Sequence, residues 1–450
     1  MHYFIYPAGS KAKMLAFNLE KLGYSYEFLD DFSGPSPQDK TADINQGGGL
    51  VLLACDSTAP ETLELSKKLQ KNIEDLGFIC VDGFTWIMSE ILASLDIAPH
   101  KTAAIIYSSM SGGKHLAGVC KSLQECKTPF VQIFTDFINY EKVVPEDNFL
   151  LIPLENIKYI NFKLVVWTGS FTSFDGRSYT HPQSLKMLVP HGFMYPIRSL
   201  VYGRTDEAIK RIIKDSEEVD YAIVPSKINY EIFLALNLDK KKFLPLGYPS
   251  LDANINSMKT STPKNKILCA LTLSSNEDMI IKAFNNFISK GFEIIFRPQV
   301  RQENTPFNAT IINAFKNQKG FIPDISTEKT SNKPLSSDLL NEIYCIIADY
   351  SSMAYTVPLA NLRPCIIYHP NNEYKEYFNN VNLNNKQITV WDERLHIIAK
   401  SAEELVDAVL NIDHRKFKNS ILEYRNEQCY NLGNSAQEIA KFIGTRLRQN

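Results

Sequence analysis

Two hydroxyls stand side by side at the end of an apolar run in YCIIADYSSMAYTV (344–357). The run reads as a strand ending at Ala348. Asp349 and Tyr350 make a turn, and Ser351 and Ser352 stand where a helix should begin. Such a start offers unpaired backbone N–H groups, a positive dipole end and two side-chain donors, which together suit a phosphate or diphosphate. A serine N-cap with no ligand is the plainer use of the same residues. A second run, FEIIFRPQV (292–300), ends on Arg297 and Pro298. Strand ends in open α/β sheets converge on the ligand crevice, where a guanidinium can clamp a diphosphate through two N–H groups. A surface or ion-paired arginine is the alternative. A third segment, SLKMLVPHGFMYP (184–196), sets His191 beside Gly192. A neutral imidazole there could accept the proton of an attacking hydroxyl, and the glycine would let a ligand approach the backbone. A histidine that merely caps a turn is the competing reading.

In chain order these segments, with PLGYPSLD (245–252), RPCIIY (363–368) and RNEQCYNLGNSAQEIAKFI (425–443), resemble the CDP-glycerol glycerophosphotransferase family of bacterial wall teichoic acid and capsule polymerases. The resemblance covers about residues 185–443. It implies an α/β fold of GT-B type, with two Rossmann-like domains facing each other across a cleft and a helical C-terminus. By the same resemblance His191 matches the catalytic base, Arg297 lies in an Arg-Pro-His-Pro motif, and Ser351 and Ser352 match a phosphate-binding pair. Gly192 and Asp349 would support them. Two positions depart from that pattern: Gln299 and Val300 replace a His-Pro, and Thr356 replaces an aspartate. Gln299 can hydrogen-bond a phosphate but cannot donate a proton as imidazolium. Charge on the leaving phosphate would then fall to Arg297 and the helix dipole.

The implied donor is a cytidine nucleotide carrying a polyol phosphate or related group, and the implied acceptor is a hydroxyl of a glycan or lipid-linked glycan. Two alternatives stay open: a transferase using a CMP-activated ulosonic acid of the Kdo or sialic-acid kind, and a non-hydrolysing sugar-nucleotide epimerase of the same fold. The scheme needs no cofactor and no metal. A lipid-linked acceptor would bring a cytoplasmic protein to the inner face of the cell membrane.

The elements that must hold these residues follow from periodicity. Short apolar runs alternate with helix-length amphipathic stretches, the pattern of parallel sheets covered by helices. Strands are expected at His2–Tyr6, Leu50–Ala54, Ala103–Tyr107, Phe130–Phe134, Leu164–Trp167, Met187–Val189 and Tyr221–Val224 in the first half. In the second half they fall at Lys266–Ala270, Glu293–Phe296, Ile343–Ala348 and Cys365–Tyr368, with helices at Glu277–Lys290, Pro306–Asn317 and Ser352–Ala360. The polar stretch Asn254–Asn265 has the composition of a linker. It divides an acceptor-side domain (1–253) from a nucleotide-donor domain (266–432), and a last helix (433–450) is expected to pack back on the first. The loop YSSMSGGKH (107–115) lacks the spacing of a P-loop and reads as an acceptor-facing loop or plain helix start.

Composition excludes several classes. The 450 residues carry 48 basic and 50 acidic side chains, and no long basic run gives nucleic acid an electrostatic footprint. No stretch approaches the roughly 20 apolar residues that span a bilayer. The eight cysteines and the histidines show no metal-ligand spacing, so the thiols are expected free.

Overall fold

The computed structural model describes residues 2–29, 35–37, 49–55, 60–108, 112–143, 148–169, 171, 177–193, 195–196, 205–258, 264–271, 276–298, 305–325, 335–349, 351–368 and 380–449. Its contacts divide the chain into two compact units. One holds residues 1–188, 218–220 and 440–450, and the other holds 189–217 and 221–439. The segments on both sides of the expected 254–265 linker therefore fall in one unit.

The first unit contains two parallel sheets. In one, Tyr3–Tyr6 lies between Tyr26–Phe28 and Leu50–Leu53, with Ile79–Asp82 beyond. In the other, Ala103–Tyr107 lies between Leu164–Trp167 and Phe130–Phe134, flanked by Leu185–Leu188 and Phe149–Leu151. The central runs are rich in Ile, Val and Leu and buried throughout, as strands covered on both faces must be. The far end of the terminal helix Ser435–Arg448 belongs to this unit: a side chain begun at Gly444 would meet Thr128 Oγ1 at 3.1 Å.

The second unit is built on six parallel strands ordered Phe321–Pro323, Glu293–Phe296, Lys266–Ala270, Ile343–Ala348, Cys365–Tyr368 and His396–Ala399. In chain order that is 3-2-1-4-5-6, the doubly wound arrangement, whose strand order reverses between Lys266–Ala270 and Ile343–Ala348. Helix Glu277–Ser289 shows why the sheet is stable. Its residues Ile280, Ala283, Phe284 and Phe287 recur at helical spacing and are wholly buried against Ile294 and Phe296. Asn276 starts it by accepting from Met279 N–H at 3.1 Å. Each buried Phe contributes about 1.5–3 kcal/mol by leaving water, so Phe284→Ala would remove about 3–5 kcal/mol with its cavity. All six strands point the same way, so their carboxyl ends share one edge; Arg297 and the serine pair follow two of those ends, whereas His191 and Gly192 follow Leu185–Leu188 of the other sheet.

Candidate functional site

Ile343–Ala348 ends beside Lys266–Ala270 at the point where the strand order reverses, and Asp349 follows, almost fully buried. Ser351 and Ser352 then lead into helix Met353–Asn361. The two serines differ. Ser351 Oγ accepts from Met353 N–H at 3.3 Å, the local bond of a capping hydroxyl. Ser352 occupies the cap position, yet its side chain makes no capping bond and no hydrogen bond to any described residue. The first serine secures the turn, while the second presents a half-buried hydroxyl beside the helix N–H groups.

The His191 loop comes to the same place. A side chain begun at Gly192 would lie 3.8 Å from Ser352 Cβ, so loop and helix start are in van der Waals reach. Gly192 and Phe193 are buried while His191 is exposed. Phe193 stacks on Tyr355 of the serine helix, centroids 5.6 Å apart at 27°. The loop that carries His191 is thus packed on the serine helix through an aromatic pair, within a single unit.

Arg297 behaves differently. Its Nη1 donates to Asp324 Oδ2 at 3.0 Å, and its side chain is 14% exposed. Burial pushes the guanidinium below its usual value and Asp324 pulls it back up; arginine stays charged. Alternation along the strand puts Arg297 on the face of Glu293 and Ile295, where all three line a 220 Å³ groove with Ile322 and Asp324. Gln299 lies outside the described residues, as do Val300 and Tyr350.

The serine helix is pinned from outside. Pro358 lies within it and has no N–H, so the Ala354 carbonyl four residues earlier loses its helical donor. His396 Nε2 lies 3.1 Å from that carbonyl and Nδ1 lies 3.0 Å from the Asp392 carbonyl. With one proton on Nε2, the imidazole replaces the missing donor. Burial pushes the His396 pKa down to about 4, against the pull of the two carbonyls and the Asp392 carboxylate. Tyr355 donates its hydroxyl to the Val390 carbonyl, and Arg425 Nη2 donates to the Ala360 carbonyl at 2.9 Å. Burial lowers the Arg425 pKa to about 10. The helix that carries the serines is therefore fixed along its length.

Two of the motif segments meet each other. Asp252 accepts from Gly433 N–H at 2.7 Å and from Ser435 N–H at 2.6 Å, so it caps the terminal helix. Burial raises the Asp252 pKa, and those N–H donors oppose the rise. Tyr248 N–H donates to Ser435 Oγ at 2.9 Å. Gly247 takes φ 92°, and any Cβ there would overlap Ser435 Oγ and the Tyr430 carbonyl. Their role is to hold the chain end.

Among the described residues no group of His, Cys, Asp and Glu converges as a metal site requires, and no helix is long and apolar enough to cross a membrane.

No protein-family model matches the sequence, and no curated protein matches it. Solved structures do. A variant of the wall teichoic acid polymerase TagF superposes with a TM-score of 0.53 at 17% identity, over 80% of this chain and 94% of that one. A second TagF variant, soaked with CDPG, gives 0.53 at 16% identity over 86% and 98%. The UDP-GlcNAc 2-epimerase of Neisseria meningitidis, bound to UDP-GlcNAc, gives 0.52 at 10% identity over 76% and 99%. The fold is that of these proteins, of GT-B type with a helical C-terminus, as the sequence resemblance implied.

Proposed function

We propose that the chain is a transferase of bacterial cell-surface glycan synthesis, moving a polyol phosphate or related group from a cytidine-nucleotide donor to an acceptor hydroxyl. The observation that carries this reading is the approach of Gly192 to Ser352 at the point where the strand order reverses. It sets a proton acceptor beside a phosphate-competent helix start, the pair that such a transfer needs.

In this reading His191 takes the proton of the acceptor hydroxyl as its oxygen bonds to the phosphorus of the transferred group. The phosphorus–oxygen bond to CMP breaks in line, and CMP leaves with the electron pair. Ser352 holds the nucleotide phosphates at the positive end of helix Met353–Asn361, with Arg297 joining them from the end of the strand beyond Lys266–Ala270. Asp349, almost fully buried at the turn before the serines, supports them in this reading. The acceptor is a glycan or lipid-linked glycan, which would bring the protein to the inner face of the cell membrane.

The epimerase likeness supports a second reading. Its TM-score equals that of TagF within 0.01, and the chemistry would use UDP-linked sugar with carboxylates as acid and base. Asp349 is the described carboxylate nearest the serine pair in the chain.

One experiment separates the readings: incubation with CDP-glycerol, CMP-Kdo, CMP-sialic acid and UDP-GlcNAc, with and without glycan acceptors, followed by chromatography of the nucleotides. Release of CMP from CDP-glycerol supports the proposal. Release of CMP only from the CMP-sugars moves it to the ulosonic-acid class, and conversion of UDP-GlcNAc to an isomer without acceptor replaces it with the epimerase.

A further inference from the structure

Asn229 is wholly buried, and every polar atom of its side chain is engaged. Nδ2 donates to the Phe193 carbonyl at 3.1 Å and to the Tyr195 carbonyl, while Oδ1 accepts from Ser226 Oγ. Ser226 stands at the N-cap of helix Lys227–Ala235 with extended backbone, where its oxygen could accept a helix N–H; it makes no such bond. The hydroxyl is directed to Asn229 instead. A cap is thus given up, and two polar residues are buried, to hold the carbonyls of one short loop 34 to 36 residues away.

That loop is the one carrying His191 and Gly192. Beyond it, Tyr195 donates to Asp215 Oδ2 at 2.9 Å, and Phe193 is stacked on Tyr355. Side chains fix Phe193 and Tyr195 at their rings, and only Asn229 is bonded to both of their carbonyls among the described residues. We infer that Asn229 is a positioning residue that sets the orientation of His191 over the serine helix, with Ser226 locking its amide. The inference rests on the reading of His191 as a base, but its structural half does not.

Asn229→Asp tests it, because the side chain keeps its size while an ionised carboxylate can donate to neither carbonyl. Ser226→Ala is the milder companion, which leaves both donors but unlocks the amide. Hydrogen exchange of the peptide spanning residues 189–196 reads the loop, and turnover of the active donor reads its consequence. The expected result is exchange at least tenfold faster in Asn229→Asp and about threefold faster in Ser226→Ala. Turnover should fall about 10²-fold and threefold respectively, with the Kd for CMP within threefold of the parent. Unchanged exchange and turnover in both variants, with the parent's melting curve, would overturn the inference. So would an equal loss of CMP affinity, which marks a general structural role. If the parent turns over none of the donors, the reading of His191 fails, while the exchange result still decides whether Asn229 holds the loop. Should Asn229→Asp not fold, Ser226→Ala decides alone.

Discussion

Two strand ends in the same sheet carry anion-competent side chains, and they have spent them differently. After Phe296, Arg297 is already bonded to Asp324 at 3.0 Å. After Ala348, the Ser352 hydroxyl has no partner among the described residues and the first N–H groups of a nine-residue helix lie beside it. A phosphate approaching the first end meets a carboxylate as well as a cation and must share or displace it. At the second end it meets the Ser352 hydroxyl, which need not be released from anything, while the N–H groups of Met353 and Ala354 are held by Ser351 and add the positive end of the helix dipole. Types of residue alone would rank the arginine higher; the partners reverse that order, because a charge already paired gains less from a new ligand. His191, packed through Gly192 against the second end, belongs to the stronger half of this contrast.

The sharpest way to break the comparison is to remove the group it places at the centre. His191→Ala should lower kcat about 10²- to 10⁴-fold, the range for loss of a general base, while the Kd for CMP changes less than threefold. Steady-state kinetics with the active donor, alongside calorimetry with CMP, check both halves. A variant that keeps its turnover but melts earlier would return His191 to the role of a turn cap.

Much of this architecture was legible in the sequence. The runs Ile343–Ala348, Glu293–Phe296 and Lys266–Ala270 are dense in Ile and flanked by turn residues, and their observed ends match expectation. Short edge strands such as Tyr26–Phe28 and Phe149–Leu151 were not, because three residues carry no period. Helix Gly83–Ser94 is apolar on nearly every side and so lacks a stripe to read. The residues that hold the site and the chain end were hidden for another reason. Asn229, His396 and Asp252 bond to backbone groups 36, 42 and 181 residues away, and a backbone partner leaves no mark in the sequence. Pro358 was the one available signal, since a proline inside a helix implies an orphaned carbonyl that something else must serve.

The pinning of the serine helix predicts a pH dependence. His396 has a pKa of about 4 folded against 6.5 in an unfolded chain, so the unfolded state takes its proton first. Stability from this group is fully present above pH 6.5 and is lost as pH falls toward 4, by about 3 kcal/mol at about 1.4 kcal/mol per unit. His396→Gln keeps a donor for the Ala354 carbonyl and cannot titrate. Urea unfolding at pH 7, 5.5 and 4 should show the parent losing about 3 kcal/mol more than this variant; parallel losses would mean that His396 does not titrate across that range. His414, also held near 4 by burial and by Arg363, acts in both proteins and cancels in the difference.

A smaller effect sharpens the contrast between the strand ends. Ser352→Ala should weaken CMP binding by about 1.5–3 kcal/mol, the scale for a donor to a charged partner, with little change in the melting point of the free protein. Arg297→Ala should weaken it less, because Asp324 loses its partner in the free and bound states alike, and the melting point should fall. Asp324→Asn should tighten CMP by releasing the guanidinium. If both strand ends touch one phosphate group, the Ser352 and Arg297 losses will not add in a double-mutant cycle. Additive losses would assign them to separate sites.

The smallest effect lies within the serine pair itself. Ser351 Oγ accepts from Met353 N–H at 3.3 Å, a long bond, so Ser351→Ala should cost near the lower limit for a cap, about 0.5 kcal/mol of stability. The bond from Met353 fixes that oxygen in the turn, although its O–H can still donate, and CMP binding is expected to change less than twofold. Neighbouring serines would then separate cleanly: one change seen in the melting curve and not in the binding isotherm, the other the reverse. A uniform response, with both variants losing affinity alike, would mean that the phosphate takes both hydroxyls, the Ser351 O–H donating to it while its oxygen still accepts from Met353. Equal losses of stability with no loss of affinity would leave the serine pair as a helix start and nothing more, and the donor site would have to be sought elsewhere along the same sheet edge.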